Sequence, residues 1–420
     1  MGALIINGAR NNFEYRALIM STLFQINVVA NSGSTGRIAE GIAEAVINDE
    51  WTCYTAYGRW GNSSKTQLYK IGSKWGVYFH YLRSKLFDMH GLGSKCATKR
   101  LILKIKEIKP NLIHLHNIHG YYLNYPLLFD FLSKSDIPVV WTLHDCWAYT
   151  GHCAYYSNVD CNKWKQGCYD CPNLQDYPAS LFYEHSRKNY QLKKQSFTSL
   201  KNLTIVAVSR WLANEVEHSF LAKYPVRVIY NGVDTDVFRP VGVGAKLKYN
   251  IENKFLILGV ATVWNARKGL SDFIKLAKYL SSDDRIILVG LDQKQISKLP
   301  SNIIGLKKTE NINELVELYS SADLFVNFSM EETFGLTTAE SMAFGTPALV
   351  YDSTACPEIV TEKTGFVITP HNIDRTLKAI QQLKLVGKQY YGNNCRSYIL
   401  ENFRKEDKYK EYAALYQELL

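Results

Sequence analysis

The chain is 420 residues long, 46% hydrophobic and 21% charged, a composition that excludes intrinsically disordered, collagen-like and fibrous classes and leaves room for two to three domains. Its 49 Lys and Arg against 39 Asp and Glu give a formal net charge of +10. No stretch approaches the roughly 18 to 20 consecutive apolar residues of a membrane-spanning helix, and Arg10, Glu14 and Arg16 interrupt the region where a secretory leader carries its apolar run, so a cytoplasmic protein is expected.

Residues 1–21 have no place in the pattern that follows and read as a disordered N-terminal extension or as sequence ahead of an alternative start. From Thr22 onward, short apolar or β-branched runs alternate with segments of helical period, the signature of parallel α/β architecture. Strands are expected over 24–29, around Tyr54, and over 112–116, 138–143, 203–208 and 226–230, with helices at 37–48, 97–107, 126–134, 181–197 and 210–220. After the first strand, the loop Ala30-Asn31-Ser32-Gly33-Ser34-Thr35-Gly36 is rich enough in glycine for backbone amides to approach an anion at a helix N-terminus, although its spacing is neither a dinucleotide fingerprint nor a P-loop.

The positive charge is localised. Between Arg59 and Lys106 there are eleven basic residues and one acid, Asp88, so this segment alone carries a charge equal to the whole chain's excess. Trp75, Tyr78, Phe79 and Phe87 are interleaved with it. Two readings stand: a basic, aromatic patch for anionic lipid headgroups, or a helix with a solvated basic face and an aromatic core face. Further on, His114, His116 and His119 lie on and just after one strand, where they serve either a bound ligand or the core.

Cys146, Cys153, Cys161, Cys168 and Cys171 fall within 26 residues, while Cys53, Cys96, Cys356 and Cys395 are scattered and are expected as buried free thiols. The segment 146–180 has no helix or strand period, and loops beyond about 12 to 15 residues are uncommon unless something organises them. Cys153, Cys161, Cys168 and Cys171, ending in CxxC, can close a tetrahedral structural zinc site, with Cys146 and His152 in reserve; reduced thiols or a disulfide are the alternatives.

A second α/β series begins at Phe255, after a join near Val237-Phe238-Arg239-Pro240. Its strands are expected over 255–260, 285–289, 323–327 and 347–351, its helices at 269–281, 312–321, 337–344 and 372–386. Domains are therefore placed at 22–240 and 241–399, each Rossmann-like, with a last helix over about 400–420 packing back on the first. Within the second series lies Glu332-Thr-Phe-Gly-Leu-Thr-Thr-Ala-Glu340. Two carboxylates so spaced can hold hydroxyls at separate points of one ligand, and Gly335 leaves helix-terminal amides near a phosphate.

This nine-residue pattern resembles the E-x7-E element of the family 4 retaining glycosyltransferases of GT-B fold. Other elements of that family stand in order around it: the glycines 33–36, His144 after a strand, Ile229-Tyr-Asn-Gly-Val-Asp234 and Arg267-Lys268-Gly269. The nearest subgroup builds bacterial surface polysaccharides. The resemblance implies two Rossmann-like domains facing each other across a cleft, with His144, Glu332 and Lys268 at the reacting centre. It implies donor binding by Gly36, Arg267, Lys268, Phe334, Gly335, Leu336 and Glu340, with Lys268 on the diphosphate, Glu340 on the ribose and Glu332 on the transferred sugar. His116 and His119 fall on the acceptor side. The family's second cation, an Arg six residues before the Lys, falls on Thr262 here, so either Arg267 takes over part of its role or the diphosphate is held differently. Asp234-Thr235-Asp236 has a metal-binding DxD form but follows a turn, where local capping is the simpler role.

The expected reaction is retaining transfer of a sugar from a nucleotide sugar to a lipid-linked glycan acceptor, needing no catalytic metal, at the inner face of the cytoplasmic membrane and without a nucleic-acid partner. A sugar-nucleotide epimerase or phosphorylase of the same fold is the alternative within enzymes. A zinc-containing nucleic-acid-binding protein is the alternative outside them.

Overall fold

The computed structural model describes residues 21–242 and 244–420, so the extension expected over 1–21 falls, apart from Ser21, outside the described residues. The first seven strands, β1 (Thr22–Asn27), β2 (Thr52–Tyr57), β3 (Gln67–Lys70), β4 (Leu112–Leu115), β5 (Val139–Leu143), β6 (Leu203–Ala207) and β7 (Val226–Val228), form one parallel sheet in the order β3-β2-β1-β4-β5-β6-β7. Six more, β8 (Phe255–Val260), β9 (Asp284–Val289), β10 (Ile303–Leu306), β11 (Leu324–Asn327), β12 (Ala348–Tyr351) and β13 (Gly365–Ile368), form a second in the order β10-β9-β8-β11-β12-β13. Helices cover both faces, so the central strands β4, β5, β6 and β11 are buried at every residue and are apolar apart from one polar residue each, His114, Thr142, Thr204 and Asn327.

Both sheets reverse strand order beside their first strand, at β1/β4 and β8/β11, and doubly wound sheets bind ligands outside the carboxyl ends of strands at that reversal. The residues expected to do chemistry follow those ends. Gly36 comes after β1, His116 and His119 after β4, His144 after β5, Lys268 after β8, and Glu332 and Glu340 after β11.

The strands missing from the expected set, β3, β10 and β13, are four residues long and sit at sheet edges, where half-burial removes the apolar run. The helix expected at 37–48 is Gly33–Ile47, so the glycine segment is its first turn and not a free loop. The helix expected from 181 starts at Ser186. Leu181 N bonds to Lys85 O and His185 N to Asp88 Oδ2, which ties the preceding segment to the end of helix Lys74–Phe87.

Helix Lys74–Phe87 overturns the amphipathic core reading. Its buried residues are His80 and Ser84, while Trp75 is 72% and Phe79 60% exposed, with Tyr78 and Phe87 also outside. His80 explains the inversion: its Nε2 accepts from both Gly91 N and Gly93 N at 3.1 Å and its Nδ1 lies 2.9 Å from Ser94 Oγ, so a polar side chain anchors the helix. Cys96, expected buried, is exposed in the first turn of helix Lys95–Ile108; Cys53, Cys356 and Cys395 are buried. No helix among the described residues is long and apolar enough to cross a membrane.

Helix Lys405–Leu419 lies on helix Gly33–Ile47. Gly41 permits the approach, since a Cβ there would come within 2.2 Å of the Tyr409 ring. Tyr412 and Tyr416 are fully buried beneath it; Thr142 Oγ1 donates to the Tyr412 hydroxyl at 3.2 Å, and the Tyr416 hydroxyl meets His114 Nδ1 at 2.6 Å.

Candidate functional site

After β8 the chain turns through Asn265, whose side chain accepts from Lys268 N at 3.2 Å. Gly269 has a φ of 73°, and a Cβ there would meet the Phe328 carbonyl at 2.4 Å, so glycine is required for the β8 loop to close on the β11 loop. That closure brings the Lys268 ammonium into an ion pair with Glu332, whose Oε1 also accepts from Ser329 Oγ at 2.9 Å. Burial alone would raise the Glu332 carboxyl; the charges of Lys268 and Arg267 with these hydrogen bonds outweigh it and hold it below its ordinary value.

Glu340, on helix Leu336–Ala343, is buried and accepts from the Tyr319 hydroxyl at 3.0 Å. Burial pushes its carboxyl up to about 7, against the opposing pull of Arg37 and of Tyr319. Arg37 belongs to the first sheet's helix Gly33–Ile47, so a cation from one side of the cleft acts on a carboxylate from the other. The helix Leu336–Ala343 starts at Gly335, with φ 95° and no side-chain cap, leaving its first amides to a ligand. Gly36 is buried against its own turn, where a Cβ would meet Val29 Cγ2 at 3.0 Å and Asn31 N at 3.2 Å. Leu336 is half-buried, and Phe334 packs between Tyr230 and Phe403, with centroids at 6.0 and 5.7 Å. Arg267 is committed elsewhere: its Nη1 donates to Glu331 O at 2.7 Å and its guanidinium lies 3.8 Å over the Tyr155 ring. Thr262 is exposed on the same loop.

Facing these are the histidines. Gln25 Nε2 donates to Ala39 O at 2.9 Å, which leaves Gln25 Oε1 as acceptor for His116 Nε2–H at 2.9 Å. The other nitrogen of a neutral His116 is then bare and accepts from His144 Nε2–H at 3.2 Å, so neutral His144 keeps its lone pair on Nδ1. Burial pushes the His144 imidazole down to about 4, with Asp145 opposing, which keeps it neutral at ordinary pH. His119 is buried with both nitrogens engaged, Nε2 on Asp145 Oδ2 at 2.8 Å and Nδ1 on the Tyr177 hydroxyl at 3.0 Å. His114 is likewise satisfied, by Thr142 Oγ1 and Tyr416. His116 therefore bears on the site by orienting His144, and His119 by holding Asp145 beside it.

Three further residues of the second half, Thr333, Glu331 and Glu358, reach across to the first at this point, and sequence reasoning singled out none of them. Thr333 Oγ1 donates to His144 O at 2.8 Å. Glu331, fully buried, accepts from Tyr156 N at 2.9 Å and Ser157 N at 2.7 Å, while Cys146 Sγ lies 3.7 Å from its other oxygen. Glu358 accepts from Arg210 N, Trp211 N and the Tyr230 hydroxyl at 2.7–2.9 Å, capping helix Arg210–Glu217 from across the cleft. The doublet Glu331-Glu332 was visible in sequence, but spacing singles out only Glu332.

Asp234 does cap its turn, accepting from Val237 N at 3.1 Å and pairing with Lys405 at 2.6 Å. Cys153, Cys161, Cys168 and Cys171 line one hollow with His152, and Cys146 lies apart on Glu331. Among the described residues no three His, Cys, Asp or Glu side chains already stand at metal-binding geometry.

With this geometry in place, the likeness to known proteins is consistent over nearly the whole chain. Residues 74–237 match the family described as Glycosyltransferase Family 4 and residues 246–395 that described as Glycosyl transferases group 1. A putative colanic acid biosynthesis glycosyl transferase of Escherichia coli K12 is 22% identical over 418 residues, covering 94% of this chain and 100% of that protein. Among solved structures, sucrose-phosphate synthase from Thermosynechococcus elongatus shares the fold with a TM-score of 0.69 at 17% identity, over 95% of this chain and 99% of that one. An Anabaena protein solved in complex with UDP-glucose gives a TM-score of 0.65 at 14% identity, over 94% and 99%. The two sheets, the cleft between their carboxyl ends and the paired family matches lead to one assignment: this chain is a glycosyltransferase of family 4 with the GT-B fold.

Proposed function

We propose that the enzyme transfers a sugar, with retention, from a nucleotide sugar to a lipid-linked glycan acceptor in surface polysaccharide biosynthesis. The observation that carries this reading is the Lys268–Glu332 ion pair at the β8/β11 reversal, one cation and one anion of the same cleft wall set for a charged leaving group and a hydroxylated ring. On donor binding, the diphosphate competes for Lys268 and the helix amides at Gly335, while sugar hydroxyls donate to Glu332. The C1–O bond to the diphosphate breaks as the acceptor oxygen attacks from the same face, and its proton passes to the departing phosphate. No carboxylate is needed as nucleophile, unlike in retaining hydrolases. Neutral His144 lies where it can accept a hydrogen bond without adding positive charge beside an oxocarbenium-like centre. The relative associated with colanic acid supports a polysaccharide role, and the UDP-glucose complex of the Anabaena neighbour supports a nucleotide-sugar donor.

A thermal-shift series with UDP- and GDP-sugars tests the donor: the true donor raises the unfolding temperature by mass action, and nucleotide release then requires an acceptor. Free nucleotide formed equally without acceptor would overturn the transferase reading.

The acceptor's lipid explains the first domain's surface. Helix Lys74–Phe87 turns Trp75, Tyr78 and Phe79 outward among Lys74 and Arg83, beside a hollow of about 340 Å³ lined by Phe79, Arg83, Lys95 and Arg100. Each basic side chain near an anionic leaflet contributes about 1 kcal/mol, and aromatic rings seat at the headgroup level. The protein is expected to sediment with anionic and not with neutral vesicles, less so as salt rises, and to lose that binding on K74E/R83E/K85E. Wild-type sedimentation of the triple variant would sink the membrane reading.

A further inference from the structure

Residues 146–180 contain only two short 3₁₀ turns, Ser157–Val159 and Lys163–Lys165, yet they are packed tightly enough to bury Trp164 and Cys153. Cys153, Cys161, Cys168 and Cys171 face a common hollow. Gly151 N already donates to Cys168 Sγ at 3.0 Å, as a backbone amide does to a thiolate.

Two buried groups around this hollow lack what they need. His152 is held through Nδ1 by Asp88 Oδ1 at 2.6 Å, while its Nε2, lining the same hollow, is buried without a hydrogen-bond partner. Lys193, 1% exposed, reaches only the carbonyls of Trp147 and Thr150 and the face of Trp147, and among the described residues no carboxylate pairs with it. A buried ammonium without an anion and a buried imidazole nitrogen without a partner are each costly. Four neutral thiols supply no anion for the Lys193 ammonium.

We propose that Cys153, Cys161, Cys168 and Cys171, which share one hollow without standing at ligand distances, draw together on one Zn²⁺ as a closed, structural tetrathiolate site. Four thiols lose four protons and one Zn²⁺ enters, leaving a net charge of −2. Lys193 then has a counter-charge, while the bare Nε2 of His152, whose Nδ1–H is taken by Asp88, is the alternative ligand that the H152Q variant tests. Four cysteines leave no open position, so the metal takes no part in chemistry. Its work is mechanical: the same loop carries Tyr155 to Arg267 and the amides of Tyr156 and Ser157 to Glu331, so fixing it fixes the strap between the two halves.

Elemental analysis of the full chain purified without chelator should find close to one zinc per chain. A mercurial reagent should release it in step with thiol modification, and C168S and C171S should each lose most of it. Because those variants can misfold, cobalt exchange into the unmutated protein is read in parallel, where tetrahedral cobalt with four sulfurs gives intense visible absorption. H152Q should keep the metal with an unchanged cobalt spectrum. Zinc-free protein whose four thiols titrate freely, a disulfide among them, or loss of metal in H152Q would overturn the four-thiolate site, and none of these readouts depends on which sugar is transferred.

Discussion

Lys268→Met and Glu332→Gln should each lower turnover by about tenfold to a hundredfold, and the double variant should lose little more than either alone. A hundredfold loss is about 2.7 kcal/mol of transition-state stabilisation, the scale expected for one charge acting on a reacting centre. The near-equality of single and double losses follows from the ion pair. Each side chain is placed chiefly by the other: without Glu332, Lys268 has no carboxylate partner among the described residues, and without Lys268, Glu332 keeps only Ser329 and the more distant charge of Arg267. Residues that act as a unit are strongly non-additive. The isosteric substitutions keep the volume of a half-buried pair. Turnover numbers from initial rates at saturating donor, with circular dichroism to confirm folding, decide the matter. Near-normal turnover in either single variant would remove that residue from the site, and multiplicative losses would show two independent roles.

Glu331 should have the largest effect on stability. It is fully buried, and burial pushes its carboxyl up to about 7 against the lowering influence of the Ser157 amide, Arg267 and the Tyr156 amide. In the unfolded chain a Glu titrates near about 4.3. Between those values the folded protein binds the extra proton, so its contribution to stability is full below about pH 4.3 and is lost as pH rises through about 7, a swing on the order of 4 kcal/mol. Glu331→Gln should flatten that part of the stability–pH curve, since the amide oxygen can still accept from both backbone amides. Glu331→Ala instead orphans two buried N–H groups at about 1–3 kcal/mol each and should lower the urea midpoint at every pH. An unchanged pH slope in the Gln variant would show that Glu331 does not titrate across this range. The same variants report on turnover, because Glu331 is bonded next to Glu332.

The division between legible and hidden features follows from what each depends on. Strands Phe255–Val260 and Val139–Leu143 announce themselves because both faces are covered and every position but Thr142 is apolar. Edge strand Gln67–Lys70 does not, because solvent takes one side. Glu332 and Glu340 stand out by spacing, since a loop and a helix start fix their distance locally, and Lys268 by its place in a motif resembling the family's. Arg37, Glu331 and Glu358 were not: each acts on a partner more than a hundred residues away, and only the closure of the two halves brings them together. Helix Lys74–Phe87 shows the limit most plainly. Its periodicity described an apolar face correctly, but which face turns inward was set by two glycine amides waiting for His80.

The return of helix Lys405–Leu419 to the first sheet has a consequence for how the polypeptide is made. Synthesis runs from the N-terminus, so the seven strands of the first half emerge long before Tyr409, Tyr412, Leu415 and Tyr416, which complete a core with Ile38, Ile42, Val46 and Leu112. Until those residues leave the ribosome, that half carries an open apolar seam along helix Gly33–Ile47. The second half has no such gap and can close first. Sealing the earliest helix therefore waits for residues made some 370 positions later, and a message truncated shortly before Tyr409 would yield a closed second half attached to a first half exposed to chaperones and proteases.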